Sequence, residues 1–313
     1  MMNIFNKKII ELPIAYSGIC GSDINKYHEN IITVKNVHLF GHEIVGVIGN
    51  KYYVVNPFSC DEGCNNCDVE SNIYCSKCAR LGCGITPSGF SNTISINHQS
   101  IYLLENIRNP QVGVFTDGIA VVFHAFHLYN KPIKNVCIIG DGAIGLLCSL
   151  VLRSQNPDAQ IDIPIRTNEK REKISYFNTL EIGMPSIDDI VENQYDLVVE
   201  CVGGNQTDTL TKAIEIVRPG GGVLVLGAFS NTVYTLKGIR KLFYKQIDLM
   251  GSNSFCVKHD DFGLAVSWTI RNEDILFPLL TNEYHISRFS IDNQLVYDCI
   301  GHKKLIKGYI HYE

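Results

Sequence analysis

The chain has 313 residues, 45% of them hydrophobic and 19% charged, with a formal net charge of −5. That balance describes a globular chain with a sizeable core, long enough for two ordinary domains. It argues against nucleic acid or an anionic membrane surface as a partner. No apolar run reaches the roughly 18–20 residues of a membrane span, and the start lacks a signal-peptide core, so the expected compartment is the cytoplasm.

In chain order, residues 8–16 read as a strand around Pro13. A glycine-rich turn follows, Ser17-Gly-Ile-Cys20-Gly-Ser22-Asp23, and then Gly41-His42-Glu43 just before an apolar run. Cys20, His42 and a nearby carboxylate make a mixed donor set of the kind catalytic zinc uses. The chain has 12 cysteines, and six fall between Cys60 and Cys83. In a chain with no mark of secretion such a block reads as metal before disulfide. Four thiolates suit a closed tetrahedral zinc site, either Cys60, Cys64, Cys67 and Cys75 or the two pairs Cys64-x-x-Cys67 and Cys75-x-x-Cys78. The scattered cysteines, Cys20 excepted, read as small core residues.

Residues 89–104 alternate as short strands do. Residues 111–128 carry apolar positions at helical spacing, with Asp117 and His124 among them; a carboxylate inside such a run needs a partner. From 135 to about 250 strand and helix signals alternate, with strands at 135–139, 161–165, 196–201, 223–227 and 247–252. The first strand runs into Gly140-Asp-Gly142-Ala143-Ile144-Gly145, the G-x-G-x-x-G spacing of a dinucleotide site. The first glycine permits the turn, the second lets backbone approach a pyrophosphate, and the third lets helix pack on strand. Val202-Gly203 and Leu226-Gly227 end two further strands, where a ligand lies in a doubly wound sheet. An acidic residue to hold a ribose 2′-hydroxyl is expected at or near residue 166. Arg166 stands there instead, a cation suited to a 2′-phosphate, so NADP(H) is favoured over NAD(H). Residues 260–272 suit a short amphipathic helix, and the tail 304–312 is strand-like, expected to rejoin the first domain.

These motifs, in this order, resemble the zinc-dependent medium-chain alcohol/polyol dehydrogenases over almost the whole chain. The likeness rests on Gly18-Ile-Cys-Gly-Ser-Asp23, Gly41-His-Glu-x-x-Gly46, the cysteine block, Ser88-Gly-Phe-Ser, residues 117–125, Gly140-x-Gly-x-x-Gly145, Glu200-Cys-Val-Gly203 and Arg218-Pro-Gly-Gly221. It implies an α/β chain with a GroES-like, mostly β catalytic domain (1–118 and 250–313) carrying a structural zinc lobe, and a Rossmann domain (119–249). Catalytic zinc would be held by Cys20, His42 and an acidic group, either Glu43 or Asp117. Asp117 takes the position of a family glutamate with a side chain one methylene shorter. Ser22 matches the hydroxyl that passes the substrate proton, and Asn25 stands where some members place a histidine relay. Structural zinc would be held by Cys60, Cys64, Cys67 and Cys75, with Cys60 one residue out of the family spacing and Cys78 in reserve.

The implied activity is interconversion of a secondary alcohol and a ketone on a polyol, cyclitol or sugar-derived small molecule, by a homodimer or homotetramer. Residues 136–260 are also similar to NADPH-dependent ketopentose-phosphate reductases, which would need a basic patch for the phosphate. A catalytically silent nucleotide-binding redox sensor is the reading from another class. Zinc content and NADPH oxidation with a panel of ketoses separate it from an enzyme.

Overall fold

The computed structural model describes residues 8–60, 78–230, 235–256, 259–287 and 292–313. The chain divides into two compact units, one of Met1–Asp117 with Cys256–Glu313 and the other of Gly118–Phe255.

The first unit opens with β1 (Ile9–Ile19), β2 (Glu43–Ile48), β3 (Lys51–Val55), β4 (Phe58–Cys60), β5 (Cys78–Arg80), β6 (Thr93–Asn97) and β7 (Ile101–Leu103). The second unit carries β8 (Asn135–Ile139), β9 (Gln160–Asp162), β10 (Ile182–Gly183), β11 (Tyr195–Glu200), β12 (Val217–Val225) and β13 (Asp248–Gly251). The chain then returns to the first unit for β14 (Leu280–Ile286) and β15 (Lys307–Tyr312). The helices that matter below are α1 (Gly21–His28), α2 (Thr116–Leu128), α3 (Ala143–Gln155) and α4 (Asn168–Lys173).

In the first unit β1 is the hub. Its first half pairs with β6, and its second half lies between β2 and β15, all antiparallel. The strand-like tail therefore does rejoin the first unit, with β14 parallel to β15 at the sheet's end. β1 is long and apolar because both its faces are covered: Leu12, Ile14 and Ile19 are buried with Ile44, Phe90, Ile94, Ile310 and Tyr312. A strand buried on both faces loses the polar alternation of a half-exposed one.

In the second unit six strands run parallel in the order β10-β9-β8-β11-β12-β13. The first three strands in sequence go one way and the next three the other. The order therefore reverses between β8 and β11, the place where open α/β sheets bind their ligands. The last strand extends this unit to Phe255, beyond 249, because β13 pairs with β12. The signal at 161–165 yields a strand only to Asp162, and Pro164, which has no N–H for a ladder, follows it. The apolar stretch Pro110–Leu128 is long and apolar enough to cross a membrane, but 72% of it is buried within the protein.

One buried carboxylate joins three strands of this sheet. Asp196 accepts hydrogen bonds from the backbone N–H of Lys134 (2.9 Å) and Asn135 (2.8 Å) at the start of β8, and from Arg218 Nε (2.5 Å) on β12. Burial pushes its pKa up, but Arg218 and the two amides outweigh that and hold it below the ordinary carboxylate value. A depressed native pKa stabilises the fold above the unfolded pKa and is lost as pH falls through the native value. Asp196→Asn is expected to cost about 1.5–3 kcal/mol in urea unfolding at pH 7, with the gap to wild type narrowing below pH ~4. A gap that is the same at both pH values would contradict this role.

Candidate active site

The turn after β1 carries the first donor. Cys20 caps α1, and its backbone N–H donates to Asp23 Oδ2 at 3.1 Å, so the helix begins with the cysteine fixed in place. β2 runs antiparallel beside β1 with Glu43 opposite Gly18. That register brings donor atoms of Cys20, His42 and Glu43 within 4.8 Å of one another, with His42 and Glu43 buried and Cys20 half-buried. Gly18 is required here, since a Cβ at that position would run into the Glu43 carboxylate.

Around this group stand further charges. Asp23 is fully buried, and its Oδ1 has no hydrogen-bond partner and lies 3.9 Å from His42 Nδ1. Asp117, in the first turn of α2, places Oδ2 3.9 Å from His42 Nε2 and 4.0 Å from Arg80. Its Oδ1 is likewise buried without a partner. Lys307, buried on β15, binds both oxygens of Glu43. Ser22 is half-buried in the first turn of α1, and Asn25 is exposed.

The electrostatics match a cation pocket. Burial would push the His42 pKa down, but Asp23 and Cys20, then Asp117, hold it at about 10. Burial pushes Asp117 up against the pull of His42 and Arg80. Surroundings that favour a protonated imidazole favour positive charge in general. A thiolate, an imidazole and a carboxylate form the borderline donor set that zinc takes. A carboxylate at the imidazole's other nitrogen is the usual support for a ligating histidine, and Asp23 stands on that side of the ring, its Oδ1 3.9 Å from Nδ1 and beyond hydrogen-bond reach. Two orphaned buried carboxylate oxygens beside these donors complete the fit, since such atoms are costly without a cation.

Sequence reasoning gave Asp23 and Lys307 no role. Asp23 was legible as the third residue of a cysteine-capped helix start, a capping-box spacing. Lys307 was not, because its place depends on the pairing of β15 with β1.

The cysteine block lies largely beyond what is described: Cys64, Cys67, Cys75 and the side chain of Cys60 fall outside the described residues. The backbone of Cys60 is paired opposite Cys78 across β4 and β5.

The residues expected to meet a nucleotide gather at one edge of the second unit's sheet. Ile139 lies opposite Glu200, and Glu200 opposite Val225, so the segments after these strands emerge together. They are Gly140–Gly142, Val202–Gly203 and Leu226–Gly227. Gly140 has φ +128°, and a Cβ there would crowd Cys201 and Val202. Gly145 lies so close to the Gly140 carbonyl that a Cβ would collide with it. Ala143 and Ile144 open α3, whose first N–H groups are free of intrahelical partners by construction. Glu200 fixes the neighbouring turn by accepting from the N–H of Val202 (3.0 Å) and Gly203 (3.1 Å). Arg166 follows β9 and is pinned by Asp141: its N–H donates at 2.9 Å and its guanidinium at 3.1 and 3.2 Å, while 75% of the side chain stays exposed. Lys170, on α4, also reaches Asp141 at 3.1 Å. Asp162 is buried and accepts from Tyr195 at 2.9 Å, which takes it out of contention for the ribose.

No family model matches the chain. Galactitol 1-phosphate 5-dehydrogenase of Escherichia coli K12 is 28% identical over 267 residues, covering 78% of this chain and 75% of that protein. Sorbitol dehydrogenase of Halalkalibacterium halodurans is 26% identical over 306 residues, covering 90% and 87%. Among solved structures, a Sinorhizobium meliloti 1021 protein described as a zinc-binding dehydrogenase, with NADP bound, superposes with a TM-score of 0.75 at 18% identity, covering 99% of this chain and 93% of that one.

The chain is similar to polyol and sugar-alcohol dehydrogenases in sequence and to zinc-binding dehydrogenases in fold.

In this dehydrogenase the Glu43–Lys307 pair is the most exacting contact of the site. Both partners are almost fully shielded from water. Removing one partner of a buried pair leaves an uncompensated charge, which costs about 3–5 kcal/mol. Lys307→Met is expected to lose that much stability in urea, and adding Glu43→Gln to recover most of it. Equal losses in the single and double variants would show that the pair does not hold the site.

Proposed function

We propose that this dehydrogenase interconverts a secondary alcohol and a ketone on a polyol, cyclitol or sugar-derived small molecule, using zinc and NADP(H). The observation that carries the reading is the buried grouping of Cys20, His42 and Glu43 with Asp23 behind the imidazole. Cys20, His42 and one or both of Glu43 and Asp117 would hold the catalytic zinc. When bound, zinc supplies Lewis acidity, lowering the pKa of an alcohol or polarising a carbonyl. The nicotinamide carries the hydride, and the protein's part is binding, orientation and charge.

Each residue then has a task. Asp23 orients the His42 ring from behind. Lys307 holds Glu43 in place and offsets its charge. Ser22, on the first turn of α1, takes up the hydroxyl proton of the substrate and passes it outward by way of water, since Asn25 offers no titratable relay. Gly140, Gly142 and Gly145 let the pyrophosphate approach the α3 N-terminus. The exposed guanidinium of Arg166, with Lys170 beside it, faces a 2′-phosphate. Cys60, Cys64, Cys67 and Cys75 hold a structural zinc. Thiolate ligands of this kind are kept reduced in the cytoplasm, where we place the enzyme.

A homodimer joined at the β13 edge fits the surface. β13 ends the six-stranded sheet and exposes Leu249, while the nearby helix Ile239–Lys245 exposes Ile239, Phe243 and Tyr244.

The test is turnover of a panel of polyols, cyclitols and ketose phosphates with each nicotinamide cofactor. We expect activity on at least one of these classes, faster with NADP(H), and none in Cys20→Ser, whose circular dichroism stays that of wild type. Turnover retained in Cys20→Ser would remove that residue from the site. Arg166→Ala is expected to raise KM for NADPH roughly tenfold, or about 1.4 kcal/mol, while leaving KM for NADH unchanged. Equal effects on both cofactors would make Arg166 a structural partner of Asp141 alone.

A further inference from the structure

A second set of metal-capable side chains lies on the C-terminal strands of the first unit and shares no residue with the site above. β14 and β15 run parallel with His285 opposite His311 and Glu283 opposite Tyr309. On the other side of β15, Tyr16 of β1 lies opposite His311. Side chains two residues apart on a strand share a face, so Glu283, His285, Tyr309, His311 and Glu313 all project from the same side of the sheet.

The donor atoms converge. Glu283 Oε1 lies 3.3 Å from His311 Nδ1, and Glu283 Oε2 lies 3.7 Å from His285 Nε2. All three residues have donor atoms within 4.8 Å of one another. His311 Nδ1 is shielded from solvent and has no hydrogen-bond partner, so its 3.3 Å approach to the carboxylate is not a bond of usable direction. Zinc bonds of about 2.0–2.1 Å in a tetrahedral shell set neighbouring donors about 3.3–3.5 Å apart; the two carboxylate–imidazole spacings, each to a different oxygen of Glu283, are of about that size.

The neighbours support the same reading. Glu313 Oε1 lies 2.6 Å from His285 Nδ1. A carboxylate accepting from Nδ1–H leaves the Nε2 lone pair for a metal, the usual support for a ligating imidazole. Tyr309 hydrogen-bonds to Glu283. Tyr16 packs on the His311 ring at 4.7 Å between centroids, and the two imidazoles lie 5.2 Å apart, which limits their rotation. Two imidazoles and one carboxylate suit zinc or a neighbouring transition metal, whereas calcium and magnesium prefer all-oxygen shells.

We propose that Glu283, His285 and His311 form a second divalent transition-metal site, with zinc as its first candidate and Glu313 and Tyr309 as its supports. The metal ties β14 to β15, the strand that carries Lys307, and binding to the native state alone would raise the stability of the first unit.

The test is titration of the full-length, zinc-loaded enzyme with Zn²⁺ alone, followed by calorimetry and by metal analysis after dialysis. The expected result is one further zinc per chain, bound in the micromolar range with a rise in Tm. His285→Gln and His311→Gln should each weaken uptake by at least tenfold, and Glu313→Gln by roughly 10-fold or more, with turnover unchanged in all three. Should His311→Gln disturb folding through its packing on Tyr16, His285→Gln and the Cu²⁺ electron paramagnetic spectrum of the wild type decide the matter. That spectrum should show two coordinating imidazole nitrogens. No further zinc at micromolar concentration, uptake that His285→Gln leaves intact, or a copper spectrum without two nitrogens would each overturn the proposal.

Discussion

β1 runs between β2 and β15, and its register against both puts Cys20, Glu43 and Lys307 in one buried space. Slipping either pairing by one residue would turn the facing side chains to the other side of the sheet. The sequence from 9 to 19 therefore meets two demands at once. Its apolar residues fill the core of the first unit, and its one glycine, Gly18, clears room for the Glu43 carboxylate just before the turn that holds the cysteine. The chain's two ends must come together for either to be useful, since Lys307 arrives from β15.

The site concentrates charge where water is scarce. Asp23, His42, Glu43, Asp117 and Lys307 are all buried. An isolated charge in such a place would shift its pKa or destabilise the fold. Here Lys307 answers Glu43, while Asp23 and Asp117 flank His42 from its two nitrogens. The remaining excess is negative, and it leaves carboxylate oxygens without protein partners. A divalent cation is the group that would answer it. The glycine-rich end of the second unit's sheet shows the opposite balance: Asp141 gathers Arg166 and Lys170 beside Gly140 and Gly142, leaving the guanidinium outward.

Much of this was legible in the sequence because it is local. The run into Gly140-x-Gly-x-x-Gly145 could hardly fold as anything but strand, turn and helix. Gly41-His42-Glu43 and Ser17-Gly-Ile-Cys20 each announced polar chemistry inside apolar surroundings. The alternation of strand and helix from 135 to about 250 likewise predicted a parallel sheet, and the sheet order bears it out. What pattern could not supply was pairing across long separations. Lys307 looked like one more residue of a strand-like tail, yet it bonds Glu43, 264 positions away. Arg166 was visible as a cation at the right strand end, but its hold on Asp141 needed the fold. His285 and His311 carried no motif, because their meeting depends on two parallel strands lying in register.

The most direct test of the account is the zinc content of the purified enzyme with and without His42→Ala, measured by mass spectrometry of the metal. The account predicts that the variant folds and holds one zinc per chain fewer than wild type. Equal zinc in the two proteins would mean that the buried grouping after β1 is not a metal site, and the reading of this chain as a zinc enzyme would fail with it.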